Sequence, residues 1–363
     1  MLADEIQQSI LTFIQQSEQG ATPDFNALAL QVFAYQFEHN LPYRKYAQTM
    51  RQSPIFVKNW QQIPLMPIRG YKHLTLSTTP VVPDEPVFMS SGTTDPAHRS
   101  RNYHPSFQVW DASMKGPFKK YVLPDCDKMQ ILALFPGEKT NANSSLSRYV
   151  SRAIDFFGTK DSQILIDDQG LNYMGLIQAL KQAEAQQQPV MLLGASFSYV
   201  HIFDYFKQYQ LKFQLPVGSR LFDTGGFKGQ SRTVAQTDLF TTMTDLLGIQ
   251  RDHYLNMYGM TEISSQCYDQ NLVTSHNFDK ATPDWVRVRI LDPDTLKPVA
   301  TGQTGLIAYY DLANWNSCVG ILTEDLGRQN TTGFELLGRV EGSEAKGCSI
   351  AVDQLLAANQ SGR

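Results

Sequence analysis

A run of hydroxyl side chains around one glycine is the first group of residues that could do chemistry. Ser90 and Ser91 precede Gly92, and Thr93 and Thr94 follow it. Gly92 lets the backbone turn sharply and approach a ligand closely. The hydroxyls and main-chain N–H groups can form a concave site for an anion. We therefore predict a loop that binds a polyphosphate, although most clusters of this composition are polar surface turns.

Cationic side chains follow this loop within a few residues. Arg99 or Arg101 could grip phosphate oxygens through two parallel hydrogen bonds, and His98 precedes them. The glycine is not followed by the Gly-Lys-[Ser/Thr] sequence of a Walker motif. The sequence therefore predicts a phosphate loop of a different type.

The segment Tyr-Gly-Met-Thr-Glu at 258–262 carries a second set of functional groups. Tyr258 offers an aromatic face with a polar tip, and Gly259 allows a close turn. Thr261 supplies a hydroxyl, and Glu262 supplies hard oxygen ligands that suit magnesium. The residues by themselves therefore indicate a metal ligand beside an aromatic surface.

Two further places have weaker signals. Gly225 and Gly226 end a predicted strand and precede Phe227, so a flat ring could lie on the backbone there. A simple turn between strand and helix is the alternative. Asp325, within Thr-Glu-Asp-Leu-Gly, could accept hydrogen bonds from two hydroxyls. By itself, that segment is a charged turn.

Taken together, these segments resemble the adenylate-forming enzymes of the acyl-CoA synthetase and luciferase superfamily. The signature Tyr-Gly-x-Thr-Glu is present at 258–262, and 90–94 matches the start of the phosphate loop Ser-Ser-Gly-Thr-Thr-Gly-x-Pro-Lys. Asp95 replaces the second glycine, and His98 stands where the lysine is expected, so Arg99 is our candidate for the phosphate-gripping cation. The segments occur in the superfamily's order, from Ser90 to the Gly-Arg that ends at Arg339.

The resemblance implies ATP and Mg²⁺ as cofactors. Glu262 would hold the metal, Thr261 would contact phosphate, and Asp325 would accept the ribose hydroxyls. The residues implied in nucleotide binding are Ser90, Ser91, Gly92, Thr93, Thr94, Gly225, Gly226, Phe227, Tyr258, Gly259, Asp325 and Arg339.

The resemblance also implies a pocket for the substrate carboxylic acid. We assign it to Ser196, Phe197, His201 and Met260, because the superfamily places an aromatic residue near the position of His201. For His201, the alternative is a hydrogen-bonded core histidine, which is the commoner role for a histidine between aromatic residues.

The string Thr-Gly-Gly-Phe-Lys-Gly at 224–229 and the ending Gly-Cys-Ser at 347–349 resemble the LuxE-type acyl-protein synthetases in particular. The resemblance covers 88–348, and we expect the superfamily's mobile C-terminal lid domain to be absent. Members of this family activate a fatty acid as acyl-AMP and pass the acyl group through a cysteine to a partner acyl reductase. Cys348 is thus implied as the acyl acceptor, and the charge of Lys346 beside it would favour the thiolate.

Two alternatives remain open at this stage. One is an acyl- or aryl-CoA ligase of the phenylacetate–CoA ligase type, which shares the adenylation step and delivers the acyl group to coenzyme A. The other is a non-catalytic nucleotide-binding subunit. This alternative would fit the missing lysine of the phosphate loop and the missing catalytic lysine of the lid domain.

Composition narrows the class of protein. The chain has 363 residues, of which 42% are hydrophobic and 18% charged, as in ordinary soluble globular proteins. Its net charge of −4 gives no reason to expect nucleic-acid binding. No window approaches the ~20 apolar residues of a membrane span, and the N-terminus lacks a signal peptide pattern. The four cysteines are widely spaced, which suggests reduced thiols in a cytoplasmic protein.

The elements that must position these residues follow an α/β pattern. Predicted strands at 87–89, 130–135, 163–166, 189–193 and 221–226 alternate with helices, which indicates a mixed, largely parallel sheet covered on both faces. Ligands bind at the carboxyl ends of such strands, so we expect the loops after Met89, Leu193, Asp223 and Leu255 to meet. We expect an N-terminal helical and extended segment at 1–83, an adenylating core at 84–282, and a small β subdomain with a short tail at 283–363.

Overall fold

The computed structural model describes residues 2–91, 98–225, 234–340 and 346–360, with side chains from Ala351 onward in the last range. Contacts divide the chain into two compact units. The first unit comprises Met1–Gly116, Gly259–Cys267 and Asp279–Arg363, and the second comprises Pro117–Tyr258 and Tyr268–Phe278. These boundaries differ from the expected boundaries at 83 and 282.

Helices and strands alternate through most of the chain. The helices are α1 (Ala3–Glu18), α2 (Phe25–His39), α3 (Leu41–Thr49), α4 (Gly70–His73), α5 (Gln108–Tyr121), α6 (Ser145–Phe157), α7 (Tyr173–Gln186), α8 (Ser196–Gln208), α9 (Gln236–Leu247) and α10 (Lys346–Gln360). The strands are β1 (Met66–Pro67), β2 (Val87–Met89), β3 (Arg101–Tyr103), β4 (Gln130–Leu134), β5 (Gln163–Ile164), β6 (Ile166–Asp167), β7 (Gly170–Leu171), β8 (Val190–Gly194), β9 (Arg220–Asp223), β10 (Tyr254–Tyr258), β11 (Cys267–Asp269), β12 (Lys280–Ala281), β13 (Val286–Leu291), β14 (Thr304–Asp311), β15 (Gly320–Gln329) and β16 (Phe334–Arg339).

Three helices open the first unit. The expected helices at 1–19 and 25–37 are confirmed as α1 and α2. The Asp24 carboxylate caps α2 by accepting a hydrogen bond from the Ala27 N–H, and the Asn40 side chain caps α3 in the same way. The sequence analysis assigned no helix to α3, which carries Pro42 in its first turn, where proline is tolerated.

The C-terminal strands of the first unit form an antiparallel sheet in the order β13-β14-β15-β16-β12, with β1 parallel to β15. The N-terminal helices share a core with this sheet. The buried Gln36 amide on α2 donates to the carbonyl oxygens of Asn314 and Trp315 at 3.0 and 2.9 Å. The Asn40 amide donates to the Ser317 oxygen at 2.9 Å. This shared core explains why the N-terminal segment and the β subdomain form one unit.

The expected phosphate loop lies on a β-hairpin. Strands β2 and β3 pair antiparallel, with Phe88 opposite Asn102. Met89 was expected to end a strand of the parallel sheet, with a helix next in the chain; instead β3 comes between the loop and α5. Phe88 is fully buried against the rings of His104 and Phe107, and its partner Asn102 is also buried, so this face of the hairpin packs into the first unit.

The second unit contains the parallel sheet that the alternating pattern predicted. Its strands lie in the order β5-β4-β8-β9-β10, and β11 lies next to β10. Strands β4, β8 and β9 are buried along their whole length. Helix α8 begins at Ser196, earlier than the expected start near 203, so Ser196, Phe197 and His201 all lie on it.

Helix α10 replaces the expected short tail. Its Leu355 is fully buried, and its Asn359 amide donates to the Pro42 oxygen of α3 at 3.4 Å. At Gly70, a Cβ atom would lie 2.6 Å from the sulfur of Met66 and 2.9 Å from a methyl carbon of Leu355. The absence of a side chain at Gly70 therefore allows α10 to pack closely on the first unit.

Candidate functional site

The base of the predicted phosphate loop is closed by hydrogen bonds. The Ser90 N–H donates to the Ser100 oxygen at 3.1 Å, and the Ser100 N–H donates to the Ser90 hydroxyl at 3.0 Å. The Arg99 Nε donates to the Ser90 carbonyl oxygen. Arg99 is half-buried, while Ser91 and Arg101 are exposed. The contacts fix both ends of the loop, whose predicted binding residues Gly92, Thr93 and Thr94 lie outside the described residues.

Glu262 is a buried carboxylate in the first unit, with only 7% of its surface exposed. Burial raises the pKa of Glu262, the Ser100 hydroxyl and the charge of Arg339 lower it, and the charge of Asp325 raises it. Three residues that the sequence analysis assigned separately, Glu262, Asp325 and Arg339, thus act on one another. A carboxylate that is costly to charge by itself is well suited to a bound cation.

Asp325 and Arg339 face each other across two strands. They are paired in the register of β15 and β16, with an Arg339 Nε to Asp325 Oδ1 distance of 4.0 Å. Strand β15 continues to Gln329, so Asp325 lies in a strand and not in the charged turn considered as the alternative. Arg339 also donates to Glu324 at 3.1 Å, and Arg69 donates to the other oxygen of Glu324. Sequence reasoning missed this ion-pair chain, because Arg69 is far from Glu324 along the chain.

The main chain just after Glu262 is held by the buried Asp311 at the end of β14. The Asp311 carboxylate accepts hydrogen bonds from the N–H groups of Ser264 and Ser265 at 2.9 and 2.8 Å. It also accepts from the Ser265 hydroxyl at 2.7 Å and from the Ala313 N–H at 3.0 Å. Burial raises the pKa of Asp311 to about 6, although these donors lower it.

In the second unit, Asp223 holds the start of the paired-glycine loop. Its carboxylate accepts hydrogen bonds from the Gly225 N–H at 2.8 Å, from the Ser196 hydroxyl at 3.0 and 2.9 Å, and from the Tyr254 hydroxyl. Gly225 has a φ of 76°, a left-handed conformation that favours glycine. Gly226 and Phe227 lie outside the described residues. Asp223 was not a predicted site residue, although a polar residue that ends an apolar strand was a usable signal.

The residues expected to line the acyl pocket have different surroundings. Phe197 is half-buried and His201 exposed, one turn apart on α8, with ring centroids 6.5 Å apart. The Ser196 hydroxyl donates a hydrogen bond to Asp223, and Ser196 is 5% exposed. Met260 is half-buried, and Tyr258 is buried at the end of β10. The boundary between the units falls after Tyr258.

The three cysteines whose side chains are described are buried or half-buried. Cys267 and Cys318 are fully buried. Burial raises the pKa of the Cys267 thiol to about 12 and the pKa of Cys318 well above its usual range. Cys126 is half-buried, and its pKa is also raised by burial. Cys348 lies in the first turn of α10, and its side chain is outside the described residues.

The donor chemistry around Glu262 fits magnesium. Mg²⁺ is usually held by one or two carboxylates together with phosphate oxygens and water. Within 2–91, 98–225, 234–340 and 346–360, no group of three or more His, Cys, Asp or Glu side chains could hold a metal by itself. Glu262 can contribute one buried carboxylate to such a site, and phosphate oxygens and water would be its other ligands.

No helix in the described part of the chain is long and apolar enough to cross a membrane.

The fold defines the class of protein. The chain matches a solved structure of 2-hydroxyisobutyryl-CoA ligase, in complex with 2-HIB-AMP and CoA, with a TM-score of 0.63. The two proteins are 13% identical, and the match covers 87% of this chain and 70% of the other. The fold is thus that of the adenylate-forming ligases, as the sequence predicted.

The particular family follows from two sequence comparisons. The family model described as "Acyl-protein synthetase, LuxE" matches residues 2–357. The chain is 22% identical over 345 residues to the long-chain-fatty-acid–luciferin-component ligase of Aliivibrio fischeri. The aligned residues cover 92% of this chain and 88% of the relative. It is 22% identical over 339 residues to the ligase of the same name from Vibrio harveyi, covering 91% and 87%. The chain belongs to the LuxE acyl-protein synthetase family and is a ligase of that type.

Proposed function

We propose that this chain activates a long-chain fatty acid with ATP and transfers the acyl group to a protein thiol. In the first step, a carboxylate oxygen attacks the α-phosphorus of ATP, so that acyl-AMP forms and pyrophosphate leaves. In the second step, a thiolate attacks the acyl carbonyl carbon, so that a thioester forms and AMP leaves. A partner acyl reductase would then take the acyl group. Membership of the LuxE family and the names of the relatives support this proposal.

The observation that carries the nucleotide assignment is the buried Glu262 beside Ser100, Asp325 and Arg339. Glu262 would hold Mg²⁺, which neutralises phosphate charge when it is bound. Arg339 is 60% exposed, so its guanidinium can reach a ligand while its bond to Glu324 keeps it in place. Asp325 would accept the ribose hydroxyls. These side chains would supply catalysis mainly by positioning and by charge.

The second unit would supply the adenine surface. Asp223 fixes the Gly225 N–H and with it the direction in which the backbone leaves β9. Tyr258, at the end of β10, would contact adenine, and Phe197 and His201 on α8 would contact the acid. The cation assigned to the phosphates is Arg99.

The acyl acceptor is proposed to be Cys348. Cys267 and Cys318 are fully buried with strongly raised pKa values, so neither is suited to form a thiolate and attack acyl-AMP. Cys348 lies in the first turn of α10, and the N-terminus of a helix favours negative charge. The family resemblance points to the same residue.

The test is ATP–pyrophosphate exchange with a panel of short, aromatic and long-chain carboxylic acids. Exchange that requires a long-chain acid and Mg²⁺ would support the proposal, whereas no exchange with any acid would leave a nucleotide-binding subunit. Mass spectrometry of the protein after turnover, with and without coenzyme A, identifies the acceptor. Acyl-CoA in place of acylated protein would replace the proposal with the CoA-ligase alternative.

A further inference from the structure

A buried asparagine, Asn314, lies at the centre of a hydrogen-bond network next to Glu262. It is 2% exposed, in the loop between β14 and β15. Its amide nitrogen donates to the Glu262 carbonyl oxygen at 3.0 Å, to the Cys318 oxygen at 2.9 Å and to the Tyr71 hydroxyl at 3.1 Å. Its amide oxygen accepts a hydrogen bond from the Ser264 hydroxyl at 3.0 Å.

A second buried asparagine, Asn102, binds Thr261, the residue before Glu262. It is 1% exposed on β3, the strand that follows the phosphate loop. Its amide nitrogen donates to the Thr261 carbonyl oxygen at 3.1 Å and to the Asn314 amide oxygen at 3.3 Å. Two consecutive carbonyl groups, those of Thr261 and Glu262, are thus each held by one asparagine, and the two asparagines contact each other.

The same segment is also fixed on its other side. The Ser264 and Ser265 N–H groups donate to Asp311, and the Trp285 indole donates to the Ser265 hydroxyl at 3.0 Å. Buried polar groups are costly unless they are fully satisfied, and apolar packing stabilises a core at least as well. A polar network at this place is therefore explained best by the need for a fixed main-chain geometry.

We infer that Asn102 and Asn314 are positioning residues for the nucleotide and metal site. They fix the backbone of Thr261 and Glu262 relative to the hairpin of β2 and β3. They thereby also fix the directions of the Thr261 hydroxyl and the Glu262 carboxylate. The inference rests on the proposed function only in assigning that site to MgATP. Removal of an outer hydrogen-bond partner of a metal ligand typically costs about 10- to 100-fold in metal affinity or activity.

The experiment compares Asn102→Ala and Asn314→Ala with a matched control, Asn271→Ala. Asn271 is 3% exposed, and its amide donates to the Asp252 and Tyr254 oxygens at 2.7 and 2.9 Å, at the opposite end of β10 from Tyr258. We expect both test variants to lower kcat for pyrophosphate exchange, and to raise the Mg²⁺ concentration at half-saturation, by about 10- to 100-fold. The KM for the fatty acid should stay unchanged, and the control should match the wild-type protein in all three.

A second readout does not depend on activity. Amide hydrogen exchange over 261–265, measured without ligand, should lose protection in the test variants and keep it in the control. Wild-type kinetics together with wild-type protection in both variants would overturn the inference. If Asn314→Ala does not fold, Asn102→Ala decides, because it removes only the donors to Thr261 and Asn314.

Failure of the proposed function would look different. If the wild-type protein binds MgATP in titration calorimetry but activates no acid, the proposed reaction is wrong. The inference is then decided by MgATP affinity, which the two test variants should weaken and the control should not. Equal MgATP affinity in all four proteins would overturn it.

Discussion

At the scale of single residues, Glu262 is the buried carboxylate on which the proposed metal site depends. Its carboxylate is buried, and its pKa is raised by that burial more than Ser100 and Arg339 lower it. A carboxylate in this position gains most from a cation that arrives with the substrate. The glutamate of the strongest sequence motif is thus also a buried carboxylate with a raised pKa.

Glu262→Gln keeps the shape of the side chain and removes its charge. We expect pyrophosphate exchange to fall by about 10²-fold or more, which is the scale for the loss of a key electrostatic group. The variant should remain folded, because no buried charge is left without a partner. Exchange at the wild-type rate would contradict the metal assignment, and circular dichroism provides the folding control.

Arg99 and Arg101 provide a matched pair of cations at the end of the phosphate loop. Arg99 is half-buried and donates to Ser90, whereas Arg101 is exposed on β3. Arg99→Ala should therefore raise the KM for ATP or lower kcat, and Arg101→Ala should have a smaller effect. Initial rates over a range of ATP concentrations measure both. An effect confined to Arg101 would show that the alignment of the loop's end is wrong.

Cys348→Ser tests the acyl acceptor apart from the first half-reaction. Pyrophosphate exchange should survive, because adenylation does not use the thiol. Labelled acyl groups should no longer be found at a hydroxylamine-sensitive site. Cys126→Ser is the control, since Cys126 is the described cysteine that is only half-buried. Thioester labelling that persists in Cys348→Ser would move the acceptor to another cysteine or to the partner protein.

At the scale of elements, the conformation of Ser264 and Ser265 depends on Asp311 at the end of β14. Asp311 closes β14 and accepts four hydrogen bonds, three of them from Ser264 and Ser265. Because its folded pKa is about 6, against 3.8 for an ordinary aspartate, the folded state binds a proton more tightly than the unfolded state does. The stability that this proton contributes is fully present below pH 3.8 and is lost as the pH rises through about 6.

Asp311→Asn should remove this pH dependence. Between pH 4 and 6, the free energy of unfolding of the wild-type protein should fall relative to that of the variant by up to about 3 kcal/mol, at 1.36 kcal/mol per pKa unit. The variant should still be less stable than the wild-type protein at neutral pH, because its amide NH₂ faces backbone N–H donors. Denaturant titrations at several pH values measure both quantities. Parallel profiles would show that Asp311 does not titrate in this range.

At the scale of the whole molecule, local patterns predicted more than long-range pairings. The parallel sheet of the second unit followed from alternating strands and helices, although α8 begins earlier than expected. The hairpin of β2 and β3 was missed, because Phe88 looked like part of a buried strand and pairing with Asn102 leaves no local signal. Asn314 was missed for the same reason: its partners Asn102 and Glu262 are distant in sequence.

Helix α10 was missed because the chain beyond Cys348 was interpreted as a tail. Its Leu355 is fully buried and lies against Gly70, and the helix as a whole contacts α3. Gly70 also adjoins Arg69, which donates to Glu324, the partner of Arg339. The helix that carries the proposed acyl acceptor therefore packs next to the ion-pair chain that holds a proposed nucleotide-binding residue.

Leu355→Ala should loosen this helix without affecting adenylation. Loss of a fully buried leucine typically costs about 2–5 kcal/mol, and local opening of one element needs less free energy than global unfolding. We expect faster hydrogen exchange over 351–359, an unchanged rate of pyrophosphate exchange, and a changed rate of acyl transfer to Cys348 in single-turnover labelling. Gln354→Ala is the matched control, because Gln354 is exposed on the same helix. Equal transfer rates in both variants, despite faster hydrogen exchange in Leu355→Ala, would show that acyl transfer does not depend on how α10 is docked.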